Sequence, residues 1–240
     1  MNGEAMESLA MRLRGKAAEL GARVFGIADT SVARTVDPAL FETIEETYRR
    51  AVVMGIRLHE AVLRQIVDRP TPLYFHHYRQ TNYRLDEAAW AVADILQDAG
   101  FSALAIAASQ VVRKSPMKGQ ISHKALGWAA GLGFRGRNNL LVHPLYGAQV
   151  RYVSVLTDAP LPAGSPIEAS CGKCRACVSV CPAGAIRERI EDFDGEACLA
   201  KLNQFACIPF IGQHVCGVCV KACGRRAEES DGRSVSGGTG

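Results

Sequence analysis

The chain has 240 residues, 48% hydrophobic and 22% charged, with a net charge of +4. That balance suits a protein with a buried core, and the basic residues are spread too evenly to form a nucleic-acid-binding tail or stripe. The N-terminal stretch alternates charges with apolar positions instead of forming a signal-peptide core, and no run of about 18 apolar residues occurs, which argues against a membrane span and for a cytoplasmic protein.

Residues Glu4 to Leu20 place Leu9, Met11, Leu13, Ala17, Ala18 and Leu20 on a helical stripe closed by Gly21, and Arg23 to Ala28 follow as a β-rich run. A polar helix-like stretch from Leu40 to Arg50 leads into a second strand at residues 51–56. His59 to Val67 reads as helix until Pro70 and Pro72 interrupt it. From Asn82, the spacing of Leu85, Ala88, Ala89, Val92, Ile95 and Leu96 predicts an amphipathic helix closed by Gly100, followed by a third apolar run at Ser102 to Ala107. Ser122 to Leu132 is a helix of small residues ended by Gly133, and Val150 to Leu156 is a fourth β-type run.

Alternation of helix and strand predicts an α/β fold over residues 1–160, with parallel or mixed strand directions left open. The proline-rich stretch Asp158 to Pro166 marks a boundary before a second, smaller domain at 165–225, and the polar residues 226–240 read as a mobile tail.

All nine cysteines fall between Cys171 and Cys223. In a reducing compartment such thiols serve as metal ligands in preference to disulfides. Cys171, Cys174, Cys177 and Cys181, the last followed by Pro182, have the bacterial ferredoxin spacing: three thiolates grip one cubane and the fourth ligates a second cluster. Cys216, Cys219 and Cys223 form the matching group, one thiolate short, so Cys198 or Cys207 must complete it. The assignment is Cys171, Cys174, Cys177 and Cys223 for the first 4Fe-4S cluster, and Cys181, Cys198, Cys216 and Cys219 for the second, with Cys207 spare. Structural zinc also uses paired Cys-x-x-Cys units, but the close third and fourth cysteines followed by Pro-Ala-Gly-Ala-Ile fit cluster chemistry better.

Upstream lie Ser122-His123-Lys124, the stretch Ala130-Gly131-Leu132-Gly133-Phe134-Arg135-Gly136-Arg137-Asn138-Asn139-Leu140-Leu141, then Pro144-Leu145-Tyr146-Gly147 and Leu156-Thr157-Asp158. In this order, ahead of the cysteines, they resemble the epoxyqueuosine reductase family, and also the core of corrinoid-dependent reductive dehalogenases, over roughly residues 20–223. The resemblance implies an α/β reductase domain and a double-cluster ferredoxin-like domain passing electrons to a cobalamin or a substrate. It implies a cofactor pocket at Gly136, Arg137, Asn138, Tyr146 and Gly147, where glycines admit a close backbone and Arg and Asn offer hydrogen bonds to phosphate and amide groups. The plainer reading is that Gly131 and Gly133 cap a helix, that Tyr146-Gly147 is a turn and that Arg137 is a solvated surface charge.

Three departures stand out. Ala107-Ala108-Ser109-Gln110 occupies the region where the queuosine enzymes carry a proposed acid, the sequence given ends before their helical-repeat region, and Gly224 instead of proline follows Cys223. The second departure argues against transfer RNA as substrate.

His123 is the catalytic candidate, as an imidazole able to carry a proton near neutral pH, beside Lys124, which could pair with an anion; a solvated histidine is the plainer reading. His143, His76 and His77 rank below it. Tyr74, Phe75, Tyr78 and Tyr83 form an aromatic cluster that reads as core packing or as a wall for a flat ligand. Arg113, Lys114 and Lys118 around Pro116 form a basic patch suited to an acidic electron donor. The partners expected are a small ferredoxin-type or flavodoxin-type donor and a small-molecule substrate. The competing reading is a non-enzymatic electron relay serving a partner protein.

Overall fold

The computed structural model describes residues 3–38, 44–114 and 117–224. Helix α1 (Gly3–Glu19) buries Met6, Leu9, Leu13 and Ala17 along one stripe. Strand β1 (Val24–Asp29) follows, and the Asp29 carboxylate accepts from the Ser31 amide to cap the short α2 (Thr30–Arg34). Then come β2 (Arg50–Arg57), α3 (Glu60–Arg64), the long α4 (Pro72–Asp98) and β3 (Ala103–Ile106). A two-residue pair, β4 (Arg113–Lys114) with β5 (Met117–Lys118), precedes α5 (His123–Ala129). A second pair, β6 (Phe134–Arg135) with β7 (Leu141–Val142), leads to β8 (Val150–Thr157). The cysteine-bearing segment adds α6 (Ala176–Val180), a 3-10 turn at Ile190–Asp192, α7 (Gly195–Ala206) and α8 (Val218–Ala222).

The main sheet runs β1-β2-β8-β3, and every pairing in it is antiparallel. The fold is therefore mixed α/β with a wholly antiparallel sheet, an arrangement outside the parallel or mixed directions that periodicity left open. Alternation sorts its two faces. Val52, Met54, Ile56, Val153 and Val155 pack against α1 and α4, while Ala51, Val53, Tyr152 and Leu156 pack against α5. Helices on both faces explain why β2 and β8 read as nearly continuous apolar runs. Leu85 and Leu96 of α4 are fully enclosed, and burying each contributes on the order of 2 kcal/mol.

A third cluster joins Leu58, Leu63, Ile66 and Tyr74 to Ile211, Val215 and Val218, so the cysteine segment packs on α3 and the first turn of α4. Among the described residues no helix is long and apolar enough to cross a membrane.

Two expectations need correction. The long helix begins at Pro72, ten residues before the expected Asn82, because Thr71 caps it by accepting from the Tyr74 amide and Pro72 fits the first turn, where no N–H is needed. The helix-like stretch Leu40 to Arg50 has no helix at residues 44–49, which turn into β2, and residues 39–43 lie outside the described ones. The expected tail at 226–240 also lies outside them.

Candidate functional site

Two neighbouring features make up the site: the cysteine segment, and a cavity of about 570 Å³ between it and the sheet. The volume falls in the range of small-ligand pockets, on the order of 300–1,000 Å³.

The nine cysteines are all free thiols. They fall into two electrostatic neighbourhoods. Cys223 feels Cys177, Cys171 and Cys174, and burial pushes its thiol up to about 11. Cys216 feels Cys198 and Cys181, with burial again pushing it up to about 11. Cys219 is raised further by burial and feels Cys216, Cys198 and Cys181, with Cys177 the weakest influence. Cys207 stands apart, exposed, its Sγ turned to the Asn203 carbonyl at 3.4 Å. Raised thiol values mean that bare thiolates are costly here, a cost that iron bound to the sulfurs offsets.

None of the residues expected to line a cofactor pocket lines the cavity, and Gly136, Arg137, Asn138 and Gly147 lie against the cysteine loops. Arg137 donates to the carbonyls of Cys174 at 2.9 Å, Gly172 at 2.9 Å and Glu188 at 2.5 Å, so its guanidinium fork fixes the first cysteine loop. A Cβ on Gly136 would stand 3.7 Å from the Cys171 sulfur. Asn138 is buried beside them. Tyr146 stacks on His143 at 4.8 Å, with the Arg57 guanidinium 5.2 Å from its ring centre. Gly147 has φ +59°, and a Cβ there would come within 2.0 Å of the Cys223 carbonyl oxygen, the atom that accepts from the Ala148 amide at 2.9 Å. Gln149 donates to the Lys221 carbonyl at 3.2 Å, and Lys221 itself donates to the Ile66 carbonyl, so α8 is tied down on both sides.

His123 does line the cavity. Its Nε2 sits 3.2 Å from the Ala107 carbonyl and its Nδ1 2.9 Å from the Ser154 hydroxyl. A carbonyl only accepts, so Nε2 carries the proton and Ser154 donates to Nδ1. Burial pulls the imidazole down to about 4, with Arg151 opposing its charge as well, while the Ala107 contact works the other way. Lys124 lines the same cavity, donates to the Asn139 carbonyl at 2.8 Å and is lowered chiefly by burial.

Of the lesser candidates, Tyr74 is core and Tyr78 lines the cavity, whereas Tyr83 is largely exposed. His77 accepts from the His59 amide at 3.0 Å. Arg113 pairs with Lys118 across β4 and β5, and Lys118 reaches the cavity wall; residues 115 and 116 and the Lys114 side chain lie outside the described part.

Sequence reasoning passed over Arg151. Its Nε donates to Asn82 at 3.1 Å, its NH2 donates to the Ala108 carbonyl at 2.9 Å, and its guanidinium lies 4.5 Å from the Tyr78 ring centre. Asp86 accepts from the Ala108 amide at 2.7 Å and is raised chiefly by burial. With His123, these residues hold the Ala107-Ala108 turn that forms one rim of the cavity. The available signal was Arg151 and Ser154 interrupting an apolar strand.

An α/β sheet packed on a cysteine-rich segment is the frame of an iron-sulfur protein, and the 4Fe-4S binding domain family matches residues 166–187. The chain is similar to the epoxyqueuosine reductase of Bacillus anthracis, 35% identical over 86 residues, which is 36% of this chain and 22% of the relative. It is likewise similar to that of Escherichia coli K12, 38% identical over 83 residues, 35% of this chain and 22% of the relative. Among solved structures, a catabolic reductive dehalogenase in complex with 3-bromo-4-hydroxybenzoic acid aligns with TM-score 0.61 and 22% identity over 74% of this chain and 25% of its own. An epoxyqueuosine reductase with an epoxyqueuosine-modified tRNA stem loop aligns with TM-score 0.51 and 20% identity over 75% of this chain and 53% of its own. The matched part thus spans about a fifth of the curated relatives. Over the matched part the chain is similar to epoxyqueuosine reductases, and it shares its fold with both kinds of enzyme.

Proposed function

We propose that the chain is an iron-sulfur oxidoreductase in which two 4Fe-4S clusters deliver electrons to a ligand held in the cavity beside them. The observation that carries this is the pairing of two four-thiol neighbourhoods with a ligand-sized cavity. The first cluster would take Cys171, Cys174, Cys177 and Cys223, and the second Cys181, Cys198, Cys216 and Cys219. A cytoplasmic setting would keep these thiols reduced, and a donor of ferredoxin or flavodoxin type would be oxidised as the bound substrate is reduced.

The cavity wall sets Arg151, Lys118, Lys124 and His123 among the apolar faces of Tyr78, Leu58 and Ile106. Cations among apolar surfaces suit a flat molecule bearing phosphate or amide groups, as a corrinoid does. When bound, a corrinoid would supply a strongly reducing cobalt centre. Its contacts would come from these wall residues, with Gly136, Arg137 and Gly147 serving the cluster side. A bare electron relay needs no such cavity, and this favours the reductase. Transfer RNA is a second substrate reading, supported by the modified tRNA stem loop held in the structural neighbour.

The test is anaerobic iron, sulfide and cobalt analysis after reconstitution with cobalamin. About eight irons per chain with stoichiometric cobalt is the expected result. Cys219→Ala and Cys198→Ala each lower the iron content, and Cys207→Ala leaves it intact. Full iron retention in Cys219→Ala and Cys198→Ala would sink the cluster assignment, and iron without retained cobalt would sink the corrinoid.

A further inference from the structure

We infer that Asn138 donates a hydrogen bond to a sulfur of the first cluster and thereby sets that cluster's reduction potential. The inference rests on the two-cluster reading above. Asn138 is 4% exposed, and its Nδ2 has no hydrogen-bond partner among the described residues. Its Oδ1, by contrast, is engaged, accepting from the Leu140 amide at 3.3 Å. That contact fixes which way the side-chain amide faces. A buried donor left unmade costs about 1–3 kcal/mol, so the position calls for an acceptor that the described residues do not provide.

Geometry identifies the acceptor. The point where a Cβ on Gly136 would stand is 2.9 Å from the Asn138 Oδ1 and 3.7 Å from the Cys171 Sγ. The Asn138 Oδ1 and the Cys171 thiol therefore flank the same small space, which glycine leaves open, and Nδ2 belongs to that same side-chain amide. The neighbouring Arg137 holds the carbonyls of Gly172 and Cys174, so hydrogen bonds tie the Asn138 loop to the Cys171 loop. Asn138 thus lies beside the Cys171 thiol of the first four-thiol neighbourhood, and a thiolate or sulfide of the cluster is the acceptor we assign to its Nδ2.

A hydrogen bond to a cluster sulfur favours the more negative, reduced state and so raises the potential. Arg137 acts here on the backbone and Asn138 on the cluster, a division of labour between adjacent residues. Asn138 is accordingly a positioning and tuning residue that touches no substrate.

The experiment is an EPR-monitored redox titration of reconstituted full-length protein, with iron counted in the same samples. Asn138→Leu removes the donor without adding charge, and it is expected to move one cluster to lower potential, leave the other where it was and keep the iron content unchanged. In wild-type protein carrying 15N in asparagine side chains, electron spin echo modulation of the reduced cluster is expected to show a 15N coupling that persists in Asn139→Asp. Unchanged potentials with full iron in Asn138→Leu would overturn the inference. Where that variant does not hold its clusters, absence of the 15N coupling in wild type overturns it instead. Wild-type protein with far fewer than about eight irons would count against the two-cluster reading itself, a failure distinct from that of Asn138.

Discussion

His123 shows how a single residue's environment decides which chemistry is open to it. With Nε2–H committed to the Ala107 carbonyl and burial holding the imidazole near 4, the side chain is neutral at physiological pH and cannot serve there as a general acid. Its depressed value also has a sign for stability. The folded state binds fewer protons than the unfolded chain between about 6.5 and about 4, so stability falls as pH drops through that window, by on the order of 3 kcal/mol in full. The stability advantage of wild type over His123→Gln, read as the difference in Tm, should therefore shrink between pH 7.5 and 5.5; a constant difference would show that the imidazole is not buried neutral. His123 was legible in the sequence as a titratable group beside the Gly-Leu-Gly turn. Arg151 was not, because its partners Asn82, Tyr78 and Ala108 come from other elements and only the folded sheet brings them to it.

At the scale of elements, apolar period and caps carried most of the information. α1 was readable from its helical period, α5 from its small residues before a glycine, and β1, β2, β3 and β8 as short apolar runs. Pro72 misled for a definable reason: the residue that breaks a helix interior also begins one, and the deciding signal was Thr71 before it. The glycine of the Pro-Leu-Tyr-Gly turn was legible as a turn but not as a docking point, since its neighbour Cys223 lies far along the chain. Gly147 combines φ +59° with a contact to the Cys223 carbonyl that leaves no room for a methyl group. Gly147→Ala should push the end of α8 away and loosen Cys223, the proposed fourth ligand of the proposed first cluster, with loss of about half the iron. Gly172→Ala, where φ of +47° strains an alanine but open space surrounds the site, should keep more of its iron than Gly147→Ala; full iron in Gly147→Ala would show that α8 tolerates the shift.

At the scale of the whole molecule, the proline-rich boundary at Asp158 to Pro166 suggests two domains, yet the packing runs across it. Ile211, fully buried between Cys207 and Cys216, sits in one apolar cluster with Leu58, Leu63, Ile66 and Tyr74 from the other side of the boundary. Lys221 and Gln149 add polar ties over the same seam. No periodicity within a segment could reveal this, because the contacts join residues that belong to separate local patterns. The consequence is energetic coupling. Cluster binding should stabilise the α/β sheet as well as the cysteine loops, because metal bound only by the folded state adds its binding free energy to folding. Loss of cluster absorbance and loss of helical ellipticity, most of which comes from α1 and α4, should coincide on heating. Ile211→Ala should move both together, by about 2–4 kcal/mol. Two separated transitions, with only the absorbance affected by the substitution, would mean that the clusters sit in an independently folding module and that the seam contributes little.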